Sequence, residues 1–352
     1  MIEGRSIHSG WWKVGARTRN ALSDENHPLK SVLTVIVNYR VGDLVVGCLR
    51  SLESQVHANA GGRVVVVDND SGDGSVDAIQ RAIDRDCWGG WARLVCVPGN
   101  IGFAAGNNLG YKAGREWLAE QRPDYVFFLN PDTYLRDGAI GILTDFLDTH
   151  PEVGIAGGRS EDPDATPQHC SFRFPSVFNE FAANAKIGVV DRLLRGKIAR
   201  MPILGVPHRV GWLSGAAMMI RTELFETLGQ FDENYFLYYE ETDLILRAHR
   251  AGWTCWHVPQ SRIVHLVGYS SGVTLRHRRP GRKPKYWFDS RRRYFLKNHG
   301  VLYAASADLA AIVGSTLGAL RGVVSRREKT DPPRFIRDLI RNSVFLKGAS
   351  TA

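Results

Sequence analysis

Four short apolar runs rich in β-branched and aromatic residues, at 32–37, 64–67, 94–97 and 125–129, each lead into a segment with helical spacing. Such runs are too apolar for strands with one solvated face and read as buried central strands. After the first, Leu44, Cys48, Leu49 and Leu52 repeat along one helix face. After the second, Ser75 is placed to cap a helix carrying Val76, Ile79 and Ile83. Residues 102–118 form the third helix, and Ile140, Leu143 and Leu147 mark the fourth. Strand–helix alternation of this kind implies an α/β fold, a mostly parallel central sheet with helices on both faces. At 352 residues and 44% hydrophobic content the chain can bury a sizeable core.

Beyond 156 the pattern changes. Residues 160–207 hold Pro163, Pro167, Pro175, Pro202 and Pro207 and read as an irregular insertion with one helix. Strands return at 210–213 and 217–220. A helix capped by Thr222 should end at Gly229. An aromatic stretch at 231–239 runs into Glu240-Glu241-Thr242-Asp243, the start of another helix, and the last strands fall at 253–258 and 262–266. The expected organisation is an extension over 1–30, an α/β unit over 31–270, and a basic, helical extension over 271–352. Ile2-Glu3-Gly4-Arg5 matches a protease-site sequence, so residues 1–30 carry no fold argument, and they lack the apolar run of a secretion signal. The five cysteines are odd in number and show no C-x-x-C spacing, which argues against a zinc ribbon or a disulfide framework and fits a reducing cytoplasm.

Ligands of a parallel α/β sheet bind beyond the carboxyl ends of its strands. Asn38, Asp68-Asn69, Asn100 with Gly102, and Asn130-Pro131-Asp132 all fall there. A turn or cap role would explain any one of them; three clusters after three successive strands suggest a shared ligand. Residues 99–108, including Phe103 and Asn107, are small and polar and open a helix, an arrangement suited to a diphosphate. Their glycines read G-x-x-G-x-x-x-G, not the dinucleotide fingerprint, which disfavours a nicotinamide-dependent dehydrogenase. Asp132, stiffened by Pro131, is placed to hold Mg²⁺ or Mn²⁺ with phosphate oxygens. Glu240, Glu241 and Asp243 suit the positive end of a helix dipole, or alternatively supply a general base in a cleft walled by Phe236, Tyr238 and Tyr239.

In order along the chain stand TVIVNYR, VVVVDNDSGDGS, PGNIGFAAGNNLG, FFLNPDT, VGWLSGAAMMIR, FDENYFLYYEETDLILRAHRAGW and IVHLVGYSSG. This series resembles the inverting family 2 glycosyltransferases of the GT-A fold, in particular their rhamnosyltransferase-like branch, over about residues 32–300. The resemblance implies that Asp68 contacts the nucleotide base and that residues 100–108 lie against the nucleotide. It also implies that Asp132 is the metal carboxylate, with Asn130 in place of the first acid of the Asp-X-Asp motif, and that His265 completes the metal site. Glu241 falls on the usual base position, with Glu240 beside it as the alternative, and Trp212, Ser214 and Gly215 line the sugar or acceptor side. The implied donor is dTDP-rhamnose, with a UDP-sugar as runner-up, and the implied acceptor is a glycan or a polyprenyl-diphosphate-linked saccharide. Competing readings are a non-catalytic sugar-nucleotide or nucleic-acid binding protein, against which the retained Asp132 and Glu240/Glu241 speak, and a nucleotidyltransferase, for which VNYRVGD after the first strand is a poor match.

The net charge of +9 is concentrated in one segment. Between Arg276 and Lys297, inclusive, lie ten Lys/Arg and a single acid, Asp289, while the rest of the chain balances. With an enzyme motif set upstream, this segment points to anionic lipid headgroups or a lipid-linked diphosphate, not to nucleic acid. The apolar stretch 301–324, interrupted by Ser306, Asp308, Ser315 and Arg321, should then rest on the inner face of a bacterial plasma membrane without crossing it.

Overall fold

A computed structural model of the protein describes residues 30–58, 62–119, 121–185, 199–266, 281–324 and 331–349. The strands are β1 (Val32–Asn38), β2 (Arg63–Asp68), β3 (Ala92–Cys96), β4 (Tyr125–Leu129), β5 (Thr133–Leu135), β6 (Val153–Glu161), β7 (Ser171–Phe172), β8 (His208–Val210), β9 (Trp212–Leu213), β10 (Ala217–Arg221) and β11 (Thr254–His265). The α-helices are α1 (Gly42–His57), α2 (Ser75–Arg85), α3 (Phe103–Trp117), α4 (Ala139–Thr149), α5 (Val177–Ala185), α6 (Thr222–Thr227), α7 (Glu240–Arg250), α8 (Lys285–His299), α9 (Val301–Val324), α10 (Phe335–Arg341) and α11 (Val344–Lys347).

The main sheet runs β3-β2-β1-β4-β10-β6-β11-β5, with β8 also paired to β11. Its first four strands are parallel to one another. Strand β10 enters antiparallel between β4 and β6, so its amino end lies beside the carboxyl end of β4. Every residue of β1 and β4 is buried, as expected for strands covered on both faces. Helix α3 packs closely because Gly110 and Gly114 leave room: a Cβ on either would come within 2.5 Å of Val35 or Leu33.

The structure corrects several local expectations. Thr222 is the first residue of α6 and makes no cap. Ser75 is likewise already helical, and its hydroxyl accepts from the Gly42 N–H, which ties the start of α1 to the start of α2. The two expected last strands are one strand, β11, with its pairing to β6 interrupted between Val258 and Arg262, around Pro259. Beside this break Arg136, Arg159 and Arg262 all converge on the buried Glu161. Burial opposes ionisation there, but the three guanidiniums prevail and hold the carboxyl at about 2.

The helices after 270 share the main core. Tyr294, Phe295, Leu296, Ala304, Ala307 and Val344 are buried in the same cluster as Leu33, Val126 and Tyr235. Helix α9 is long and apolar enough to cross a membrane by length and composition, with mean hydropathy 1.4, yet a third of that stretch is buried against the protein. The basic segment is internal at its centre. Arg291 and Arg292 are 3% and 7% exposed. Arg291 binds Glu180, Asp308 and the Ala307 carbonyl, while Arg293 and Lys297 bind Asp232. The expectation that the arginines at 291–293 meet a lipid surface is therefore corrected: helix α8 uses them to dock on its own protein. Arg276, Arg278 and Arg279 lie outside the described residues.

Candidate active site

The carboxyl ends of β1, β2 and β4 and the amino end of β10 open on one edge of the sheet, where a cavity of about 530 Å³ is found. Asn69, Asn100, Gly102, Phe103, Asn130 and Asp132 line one side. Ser214, Gly215, Glu240, Glu241 and His265 complete it, with Tyr39, Phe236, Tyr238 and Tyr286 as aromatic walls.

Its floor beside α3 is built by amides. The Asn69 side chain donates to Asn100 Oδ1 at 3.0 Å and to the Gly102 carbonyl at 3.1 Å, and accepts from the Ile101 N–H. Gly102 has φ +87°, and a Cβ there would lie 2.6 Å from the Phe236 carbonyl oxygen. Only glycine fits that backbone and that approach. The contact brings Phe103 N–H within 2.7 Å of the same carbonyl, joining the α3 end of the cavity to the aromatic loop before α7.

Four of the expected site residues stand behind the lining. Asn38 and Asp68 are buried and bound to each other at 2.6 Å, and Asp68 also accepts from the Ser71 hydroxyl and N–H. The pair fixes the β1 and β2 ends rather than facing the cavity. Asn107 is turned back to the Phe103 carbonyl. Trp212 stacks on Phe172, centroids 4.5 Å apart, and donates to the Arg173 carbonyl. Of the three aromatics expected to wall the cleft, Phe236 and Tyr238 do so, whereas Tyr239 packs on Trp287 and Tyr294.

Asp132 and His265 meet across the cavity, Oδ1 to Nε2 at 3.5 Å, with the carboxylate almost fully buried. Strand pairing sets this approach, because His265 lies opposite Thr133 and the Leu266 N–H donates to the Asp132 carbonyl. Among the described residues no group of three or more His, Cys, Asp or Glu surrounds a common point. A carboxylate and an imidazole at this spacing still suit a divalent ion whose other ligands are phosphate oxygens and water.

Glu240 and Glu241 open α7 directly after Tyr238 and Tyr239, both at φ +71°. Two successive left-handed residues with side chains are a strained backbone, and the strain aims the helix start into the cavity. Burial, and then the charge of Glu241, push the Glu240 carboxyl well above the ordinary range. Burial also raises Glu241, but the backbone N–H groups of Glu241, Gly215 and Thr242 oppose it. One turn on, the fully buried Asp243 accepts from Arg247 at 2.9 Å, Lys297 at 2.8 Å, Asn298 at 2.8 Å and the Tyr235 hydroxyl at 3.3 Å. Two of those donors, Lys297 and Asn298, come from α8.

Sequence reasoning did not name Tyr39 or Tyr286 as site residues. Tyr39 follows Asn38 at a strand end, a position that the carboxyl-edge rule would have included. Tyr286 reaches the cavity from the start of α8, and no local pattern in the basic segment signals that.

A carboxyl-edge cavity in a sheet whose parallel strands are split by the antiparallel β10, with an Asp–His pair and two acids at a helix start facing it, is the arrangement of a glycosyltransferase of the GT-A fold. The chain belongs to the glycosyltransferase-like family 2, whose model matches residues 28–293. It is 30% identical over 219 residues to the N-acetylglucosaminyl-diphospho-decaprenol L-rhamnosyltransferase of Mycobacterium tuberculosis, covering 59% of this chain and 68% of that one. It is 26% identical over 182 residues to rhamnosyltransferase WbbL of Escherichia coli K12, covering 51% and 67%. In fold it is similar to GalNAc-T7, solved with UDP, GalNAc and Mn²⁺, with a TM-score of 0.58 at 14% identity; the match covers 89% of this chain and 58% of that one.

Proposed function

We propose that this glycosyltransferase is an inverting, metal-dependent rhamnosyltransferase. Its donor would be dTDP-rhamnose and its acceptor a hydroxyl of a glycan or of a polyprenyl-diphosphate-linked saccharide, in bacterial cell-surface polysaccharide synthesis on the cytoplasmic face of the membrane. The observation that carries the reading is that the Asp132–His265 pair and the Glu240–Glu241 pair line the same cavity. The names of the M. tuberculosis and E. coli relatives support the sugar, and that of the former supports a lipid-diphosphate acceptor. A UDP-sugar is the second donor, favoured by the UDP held by the fold neighbour.

The nucleotide lies on the floor set by Asn69, Asn100 and Gly102, with its diphosphate toward Asp132 and His265. Mg²⁺ or Mn²⁺ held by these two residues would offset the charge of the departing diphosphate. Glu241 takes the proton from the acceptor hydroxyl as that oxygen attacks the anomeric carbon. One displacement inverts the configuration. The electrostatics of the pair support Glu241 as the base. Burial and the charge of Glu241 push the Glu240 carboxyl up, whereas at Glu241 three backbone N–H groups oppose the rise that burial causes.

A panel of nucleotide sugars, scored for metal-dependent diphosphate release with and without saccharide acceptors, tests the reading. Glu241→Gln should lower turnover by about a hundredfold or more with donor affinity kept. If Glu241→Gln turns over normally and Glu240→Gln is inactive, the base is Glu240.

A further inference from the structure

A second cavity, of about 590 Å³, lies beside α8, α10 and α11 and is lined by Arg282, Lys283, Lys285, Arg341, Lys347 and the buried Asp338, among others. We propose that it is the docking site for the phosphate group of a membrane lipid. Five cations face one carboxylate, and that carboxylate is already engaged: Arg282 binds both oxygens of Asp338 at 2.7 Å. Lys285 is paired to Asp289. Arg341 shares the field of Asp338 with Arg282, while no ion pair joins Lys283 or Lys347 to a described carboxylate, so the cavity keeps an excess of positive charge for an anion from outside. Burial lowers the ammonium pKa of Lys283, which lies 5.3 Å from the Trp287 ring centroid. An arriving phosphate would relieve that cost.

The occupant is a lipid and not a free phosphate because exposed apolar side chains adjoin two of its cations in sequence. Phe345 and Leu346, immediately before Lys347, are 58% and 64% exposed, and Ile340, immediately before Arg341, is 41% exposed. Cations alternating with exposed apolar side chains on the same short helices match a headgroup and its acyl boundary. The position also agrees with the catalytic cavity. Lys285 and Phe288 line the cationic cavity, while Tyr286, on another face of the same helix turn, lines the catalytic one. The inference deepens the lipid-linked acceptor reading and rests on it for the nature of the acceptor. It moves the lipid contact from the buried arginines of α8 to this cavity.

Cosedimentation of the full chain with phosphatidylcholine vesicles, with and without phosphatidylglycerol, is the test. Wild type should partition onto the anionic vesicles at low salt and leave them as salt is raised. Arg341→Ser with Lys347→Ser should lower that partitioning about thirtyfold, from the contribution per cation at an anionic surface, whereas Lys347→Arg retains it. Both residues are exposed, and an unchanged melting curve excludes misfolding. Equal binding to both vesicle types, unchanged binding by the double variant, or binding of inorganic diphosphate without vesicle binding would overturn the proposal. The readout uses no sugar donor. Normal transfer to a soluble acceptor with failed vesicle binding removes only the docking site, and vesicle binding with no transfer removes only the enzymatic reading.

Discussion

Replacing Arg291 by Met separates a structural role for the basic helix from a lipid-facing one. The guanidinium is 3% exposed, binds Glu180 at 2.9 and 3.1 Å, and also binds Asp308 and the Ala307 carbonyl. Met keeps much of the stem that packs near Phe295 but leaves two carboxylates without their cation. Breaking a buried pair from one side costs about 3–5 kcal/mol. Asp308, with its side chain 4% exposed, should carry more of that than Glu180 at 14%. The second oxygen of Asp308 accepts the Val344 N–H at 2.7 Å, so α11 should loosen as well. Urea unfolding monitored by circular dichroism reads the loss. Adding Glu180→Gln and Asp308→Asn to Arg291→Met should restore most of the stability, because no unpaired charge is left buried. Raised salt should change little, since buried pairs are weakly screened. A loss below about 0.5 kcal/mol, as for an ordinary surface change, would refute the reasoning.

Glu240→Gln should raise the melting temperature at pH 8 and leave it near wild type at pH 4. The folded-state pKa of this acid is raised by burial, so ionisation destabilises the fold increasingly above the ordinary carboxylate range; thermal melts at the two pH values check this. Gly102→Ala meets both a left-handed φ and a backbone oxygen at 2.6 Å. It should cost about 1–3 kcal/mol from the backbone strain alone and weaken nucleotide binding, measured by calorimetry with a nucleoside diphosphate. Asp132→Ala should abolish metal-dependent transfer while the far-ultraviolet circular dichroism spectrum is kept; full wild-type activity in excess chelator would end the metal assignment.

The half of the fold built from local alternation was readable from sequence: 32–37, 64–67 and 125–129 each fall on strands within a residue or two, because their runs are apolar throughout. The antiparallel entry of β10 was not readable, since its AMMIR pattern specifies a buried strand but no direction. Loops after strands brought Asn69, Asn100 and Asp132 together as the carboxyl-edge rule requires. The same rule overreached for Asp68, whose position at the edge is right but whose carboxylate is satisfied inward by Asn38 and Ser71. Charge patterning misled most at 291–293. Three consecutive arginines look like a solvated face, but Arg291 and Arg293 are held by Glu180, Asp308 and Asp232, which lie 17 to 111 positions away in sequence.

Asp243 sets where this chain can be cut. The family model stops at residue 293, and a truncation there would keep every group that lines the candidate active-site cavity. It would also remove Lys297 and Asn298, two of the four donors to a fully buried carboxylate one turn into the helix that carries Glu240 and Glu241. The shortened protein would retain the residues of the candidate site but leave Arg247 as the one cation on the Asp243 carboxylate among its described partners. The smallest unit able to fold around this site therefore extends past residue 293, through Asn298 near the end of α8 at the least.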